Sequence, residues 1–115
     1  MTKEGEPMEI RIHEQLYSDG ISDRKLTSYK KKIKKKTPRL DLFLVTLPLG
    51  PEGLLEVYWY PELLQKHYMQ MKQELVVVGI ATSRDEAFHL IEQIVLDAGV
   101  EDGNIPIQDY FRVSK

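Results

Sequence analysis

The chain of 115 residues contains no cysteine. This absence excludes disulfide bonds, thiolate zinc sites, iron–sulfur clusters and cysteine nucleophiles, and it fits a reducing compartment. The first seven residues lack the apolar core of a signal peptide. The longest strongly apolar run, Leu42 to Leu49, is far shorter than the stretch of about 20 residues that spans a bilayer. We therefore expect a cytoplasmic protein with no membrane association.

Apolar residues make up 42% of the chain and charged residues 30%, which is typical of a soluble globular protein. The length corresponds to one domain with one hydrophobic core. The polar start predicts a disordered N-terminus over residues 1–7, followed by a single α+β domain over residues 8–115.

Local patterns predict the helices and strands. Residues 8–13 alternate between apolar and polar side chains, which indicates a half-buried strand. Ser22 and Ser83 are candidate helix N-caps, Glu86 completes a capping box, and Gly99 is a helix stop. The predicted elements are a strand over 8–13, a helix from 23 that ends by 37, strands over 40–47 and 54–60, a short helix from Pro61 to about Met71, a strand over 75–81, a helix over 84–98 and a final strand over 107–113.

The element order is β-α-β-β-(short α)-β-α-β. The second and third strands form an antiparallel hairpin, whereas the strand–helix–strand unit predicts a right-handed crossover and parallel pairing. The expected fold is therefore an α+β two-layer sandwich, a mixed β-sheet with helices packed on it. The order resembles the ferredoxin-like βαββαβ pattern with one short helix added after the hairpin. This resemblance of topology implies no particular function.

The net charge of −2 conceals a segregation of charge. Between Asp23 and Arg39 there are nine basic residues and one acid, so this segment carries +8 and the remaining residues carry −10. Lysines four residues apart on a helix repel one another, although the helix dipole favours cations in the last turn. The residues predicted to bind an anion or a partner are Lys30, Lys31, Lys32, Lys34, Lys35, Lys36 and Arg39.

Three interpretations of this lysine segment remain open: a solvated helix end, a docking surface for an acidic partner or second subunit, and a phosphate-binding surface for nucleic acid over Arg24–Arg39. Base-specific recognition usually depends on Arg, Asn or Gln, and the segment is almost purely lysine. Tyr58, Trp59 and Tyr60 are aromatic, but we expect Trp59 in the core and the two tyrosines on a sheet face beneath the short helix.

No set of residues predicts catalysis. The histidines are His13, His67 and His89; His89 lies four residues after Asp85, where both belong to the polar face of an amphipathic helix. No phosphate-binding glycine motif is present, and Gly79 marks a bulge or close packing in a buried strand. We therefore expect no enzymatic activity, no cofactor and no metal ligand.

The helix predicted over 84–98 carries apolar residues around most of its circumference. Phe88, Val95 and Leu96 lie outside the stripe that one sheet face needs, so they are either buried against a neighbouring helix or form a self-association face. The sequence as a whole predicts a small non-enzymatic protein-interaction or self-associating domain with a cationic helix. The alternative is weak, sequence-independent binding of nucleic acid through the lysine-rich helix.

Overall fold

The strands and helices follow the predicted order up to residue 99. The fold is described from a computed structural model of the chain, which describes residues 9–38, 40–48, 55–65, 74–99, 107 and 110–111. The N-terminal segment predicted to be disordered lies outside these residues. The elements are β1 (Glu9–Ser18), α1 (Asp23–Lys34), β2 (Phe43–Thr46), β3 (Glu56–Trp59), α2 (Tyr60–Leu63), β4 (Glu74–Ala81) and α3 (Arg84–Ala98).

The sheet has four strands in the order β1-β4-β2-β3. β4 pairs parallel to β1 and antiparallel to β2, and β2 and β3 form the predicted antiparallel hairpin. The parallel pairing predicted for β1 and β2 is wrong, because β4 lies between them and runs parallel to β1 but antiparallel to β2. The nearly continuous apolar sequence of β4 explains this position, since a strand flanked by two others and covered on both faces needs apolar side chains throughout.

Apolar side chains project from both faces of the sheet. Along β4, Leu75 and Val77 join one buried cluster, whereas Val76 and Val78 pack in the other. α1 and α2 contribute to the first cluster and α3 to the second. The predicted class, an α+β fold with a mixed sheet and packed helices, is confirmed. The two-layer detail of the prediction is not confirmed, and nothing in the structure conflicts with it.

Gly79 lies in close contact with β2 and α3. A Cβ atom at this position would meet the Val45 Cβ at 3.1 Å and the Leu90 Cδ1 at 3.3 Å. The pairing of β2 with β4 also shifts register beside it, since Val45 pairs with Gly79 and Thr46 with Val77. The prediction of a bulge or close packing at Gly79 is therefore confirmed by the close contacts, and the register shift lies beside it.

The final strand predicted over 107–113 is wrong at the residues that the structure describes there. Ile107, Tyr110 and Phe111 have helical conformation, and Ile107 and Phe111 are buried in the α3-side cluster. Residues four apart share a face in a helix and in a strand alike, so their spacing does not distinguish the two. Tyr110 is half-buried and Phe111 is buried. Two adjacent residues are both covered in this way when a wide face of a helix is packed.

Two further predictions need correction. α2 ends at Leu63 rather than near Met71, with Leu64 as its C-cap, and residues 66–73 lie outside the described part. Trp59 is 41% exposed and not in the core, because it ends the edge strand β3, where its ring N–H donates to Asp41 Oδ1 at 3.1 Å. Tyr60 is fully buried instead.

Candidate functional site

The lysine segment forms a capped helix with one apolar side. The Ser22 hydroxyl accepts a hydrogen bond from the Lys25 backbone N–H at 3.2 Å, which is the predicted N-cap. Leu26 and Tyr29 pack against the first core cluster and Ile33 is fully buried in it. Because this stripe anchors one side of α1, the lysines are left on its remaining surface.

The end of α1 places a lysine in an unusual backbone conformation. Lys36 has φ 56°, in the left-handed region that glycine favours and that costs other residues about 1 kcal/mol. The Lys36 N–H donates to the Ile33 carbonyl and the Thr37 N–H to the Lys32 carbonyl, the paired bonds of a Schellman motif. The buried Tyr60 hydroxyl then donates to the Thr37 carbonyl at 2.7 Å. The helix end is therefore fixed on both sides of Lys36.

The structure divides the lysines into two groups. Thr27, Lys30, Lys31 and Lys34 follow a spacing of three, one and three residues and line a depression of about 300 Å³ beside β1. Lys34 and Lys36 line a second depression of about 800 Å³ on the same side. Lys32 and Lys35 are not among the described residues that line these depressions. Arg39 lies outside the described residues.

β1 forms the other wall of this surface, which we call the lysine groove. All residues from Glu9 to Glu14 line the larger depression, and Ile12 to Glu14 also line the smaller one. Successive side chains of a strand point to opposite faces, so a depression touched by six consecutive residues runs along the edge of the strand. β1 is the first strand of the sheet order and thus supplies such an edge.

The lysines of the groove form no ion pair with an acid in the described part of the chain. There, no side chain of Lys30 to Lys36 forms an ion pair; the ion pair observed nearby joins exposed Arg11 and Glu74 at 3.9 Å. Glu9, Glu14 and Glu74 also line the groove. The surface therefore presents cations along α1 and a mixture of charges along β1.

His13 fixes a bulge that limits the regular part of β1. Ile12 pairs with Val77 and Tyr17 with Gly79, so β1 contains extra residues between these pairs. The His13 Nδ1 accepts from the Gln15 backbone N–H at 3.0 Å, and its Nε2 therefore carries the proton and donates to the Phe111 carbonyl at 3.0 Å. Both ring nitrogens are used within the fold, which gives His13 a structural role.

Beyond the bulge, a tyrosine pair joins β1 to α3 and the C-terminal residues. The Tyr17 hydroxyl donates to Asp97 Oδ2 at 2.7 Å and lies 2.8 Å from the Tyr110 hydroxyl, which also accepts from Gln15 Nε2. Burial, followed by these hydrogen bonds, raises the pKa of Tyr17 far above its ordinary value. Through these hydrogen bonds the cluster ties β1 to α3 and to Tyr110.

The outer face of α3 is exposed. Phe88 is 49% and Leu96 66% exposed, and Val95 is half-buried. In the described part of the chain, Phe88 and Leu96 are not buried against a neighbouring helix. Self-association through this face stays a prediction. Glu92 and His89 are exposed on the same side, so the apolar side chains are interleaved with polar ones.

The lysines and the first strand were both predicted from the sequence, but the position of β1 beside the lysines was not. The order of strands decides that β1 is an edge, and no local pattern reveals that order. The charged residues Glu9, Arg11 and Glu14 were the available signal, since edge strands commonly carry charge.

The site and fold together define a small α+β protein with a cationic groove at a sheet edge. Comparison with protein families, characterised proteins and solved structures finds no match for this chain. Within the described ranges, no group of three or more His, Asp or Glu side chains could hold a metal ion. No helix in that part of the chain is long and apolar enough to cross a membrane.

Proposed function

We propose that this protein is a non-enzymatic, cytoplasmic interaction domain that binds an acidic segment of a partner protein in the lysine groove. The observation that carries the proposal is the row of groove lysines without ion pairs among the described residues. Lysines without an ion pair are available to an acidic partner, and they raise its association rate.

The backbone of Lys36 supports a role for charge at this point. Helix C-termini usually place glycine in the left-handed conformation, and Gly99 at the end of α3 follows this pattern with φ 71°. Lysine at the corresponding position of α1 destabilises the helix end by about 1 kcal/mol. A strained residue at a cationic surface is expected where the side chain serves binding.

Two features favour a protein partner over nucleic acid. Glu9, Glu14 and Glu74 line the same groove and repel a continuous row of phosphates, whereas a protein segment can place uncharged side chains against them. Tyr58 and Trp59 lie on β3, three strands from β1, or about 14 Å at the usual strand spacing. Single-strand binders instead combine aromatic platforms with adjacent cations.

The experiment compares a fluorescent peptide of eight residues rich in glutamate with single- and double-stranded DNA of similar charge, at low and at physiological salt. We expect the peptide to bind and to remain bound when a tenfold mass excess of DNA is added. Displacement by DNA, together with a steep loss of affinity for DNA as salt rises, would establish the nucleic-acid alternative in its place.

The exposure of Phe88 and Leu96 favours a second candidate role, self-association through α3. Two copies would remove these side chains from water, although Glu92 lies between them along the helix and must stay hydrated. Sedimentation of the wild type and of a Phe88→Ser, Leu96→Ser variant tests this role. A wild-type dimer that the variant abolishes supports it, and a wild-type monomer at high concentration excludes it.

A further inference from the structure

The outer edge of β1 forms one wall of the lysine groove. The charge of the lysines does not explain what this wall would bind. We infer that the acidic segment binds in an extended conformation and adds to the sheet as a strand along β1. This inference rests on the proposed function and names the form in which the partner binds. It follows from the open edge, the bulge at His13 and the position of the lysines.

Among the described residues, no strand uses the outward backbone hydrogen-bonding groups of this edge. Glu9 to Ile12 pair in parallel with Glu74 to Val77, and in a parallel ladder every second residue directs its N–H and C=O away from its partner strand. In the described part of the chain, no strand other than β4 pairs with β1. These outward N–H and C=O groups face the groove, where they would form hydrogen bonds with the backbone of an extended peptide.

The bulge sets the length of the segment. The Gln15 N–H is taken by the His13 ring, and the regular pairing of β1 stops after Ile12. The regular edge of four residues is about 13 Å long at the usual rise per residue. It therefore accommodates a core segment of about four or five residues, a common size for strand addition at a sheet edge.

The lysines select the side chains. Ile10 and Ile12 belong to the α1-side cluster, and Lys30, Lys31 and Lys34 flank β1 on that side. Every second side chain of an added strand points to this side, where carboxylates meet the lysines. The intervening side chains point to the face of Arg11 and need no acid. The preferred segment is therefore acidic at alternate positions.

A second copy of this chain is a poor occupant of the edge. Antiparallel pairing of two β1 edges would place two lysine-lined helices side by side on the same face of the joined sheet, where their charges repel. An acidic segment of another protein has no such conflict. Dimerisation that blocks peptide binding in sedimentation would contradict this choice of occupant.

The test uses a labelled eight-residue peptide of alternating glutamate and threonine, and two derivatives in which the backbone nitrogens of either the glutamates or the threonines are methylated. Only one of these two sets can donate to β1, so each derivative is the control for the other. We expect one derivative to bind about tenfold or more weakly than the parent, because several edge hydrogen bonds are lost, and the other to bind nearly as well. Amide exchange at residues 9–13 should slow when the parent peptide binds.

The outcomes separate the inference from the proposed function. Equal binding of both derivatives and the parent, with lysine dependence retained, would overturn strand addition and leave acidic-segment binding intact. Absence of binding by the parent and by a random-order peptide of the same composition would overturn the proposed function itself. Stronger binding of the random-order peptide than of the alternating one would contradict the side-chain register.

Discussion

The two long helices of this protein, α1 and α3, differ in how many residues they bury and in how they end. α3 buries Ala87, Leu90, Ile94 and Ala98 and ends on a left-handed glycine. α1 has one fully buried residue, Ile33, and ends on a left-handed lysine among further lysines. Both begin with a serine cap and an acidic first turn. The difference shows that α3 is built for packing, whereas α1 keeps a charged flank at the expense of its own stability.

The largest expected effect is the loss of packing beneath α3. Ile94 is fully buried, so Ile94→Ala should lower the free energy of unfolding by about 2–5 kcal/mol. Leu96→Ala, on the same helix but 66% exposed, is the control and should change it by less than about 0.5 kcal/mol. Urea denaturation measures both. A large loss in Leu96→Ala would mean that the outer face of α3 is covered in solution.

The helix ends provide the next test, with smaller effects of opposite sign. Lys36→Gly relieves the left-handed strain and should raise the free energy of unfolding by about 1 kcal/mol. Gly99→Ala introduces such strain into α3, where no atom lies within 4 Å of the added Cβ, and should lower it by about 1 kcal/mol. Thermal or urea denaturation compares the two. Destabilisation by Lys36→Gly would show that the side chain, and not the backbone, dominates at this position.

The smallest effect concerns alkaline pH and compares the two sides of the sheet. Burial is the main cause that raises the pKa of Tyr17, on the α3 side, and of Tyr60, on the α1 side. In the unfolded chain a tyrosine ionises near pH 10. Because the folded pKa values are higher, the stability that these groups contribute is fully present below about pH 10 and is lost as pH rises toward the folded values.

Tyr17→Phe and Tyr60→Phe should each flatten this alkaline loss, and Tyr17→Phe more, since Tyr17 has the larger rise in pKa. Chemical denaturation at pH 8, 10 and 11 gives the slopes. An unchanged slope in Tyr17→Phe would mean that its hydroxyl is ionised as readily in the folded protein as in the unfolded chain.

Local signals in the sequence predicted the elements well. Ser22, Ser83 and Gly99 act at the helix ends where they were expected, because capping depends on neighbouring residues alone. The apolar run over 75–81 correctly indicated a strand covered on both faces. The short helix and the segment over 107–113 were less predictable, since brief apolar patterns fit a helix and a strand alike.

The candidate site was predictable only in part. The lysines are visible in the sequence, but their division into groove and outer groups depends on which side of α1 faces β1. That in turn depends on the pairing of β1 with β4, residues more than 60 positions apart along the chain. Trp59 shows the same limit, because alternation placed it on a sheet face but did not reveal that β3 is an edge.

The central claim is that position on α1, and not positive charge alone, determines binding of an acidic segment. One variant carries Lys30→Gln, Lys31→Gln and Lys34→Gln, which remove the lysines of the smaller depression. Its matched control carries Lys25→Gln, Lys32→Gln and Lys35→Gln, which remove the same charge from α1 and its C-cap residue, Lys35, outside the groove. Glutamine and lysine have similar helix propensities, so both variants should fold.

The deciding measurement is the affinity of both variants for the glutamate-rich peptide, by fluorescence anisotropy at physiological salt. The groove variant should bind about tenfold or more weakly than the wild type, since close cation–carboxylate contacts are lost, and the control about twofold more weakly through the general field alone. Equal weakening in the two variants would contradict the account, because the lysines would then act only as a diffuse positive charge.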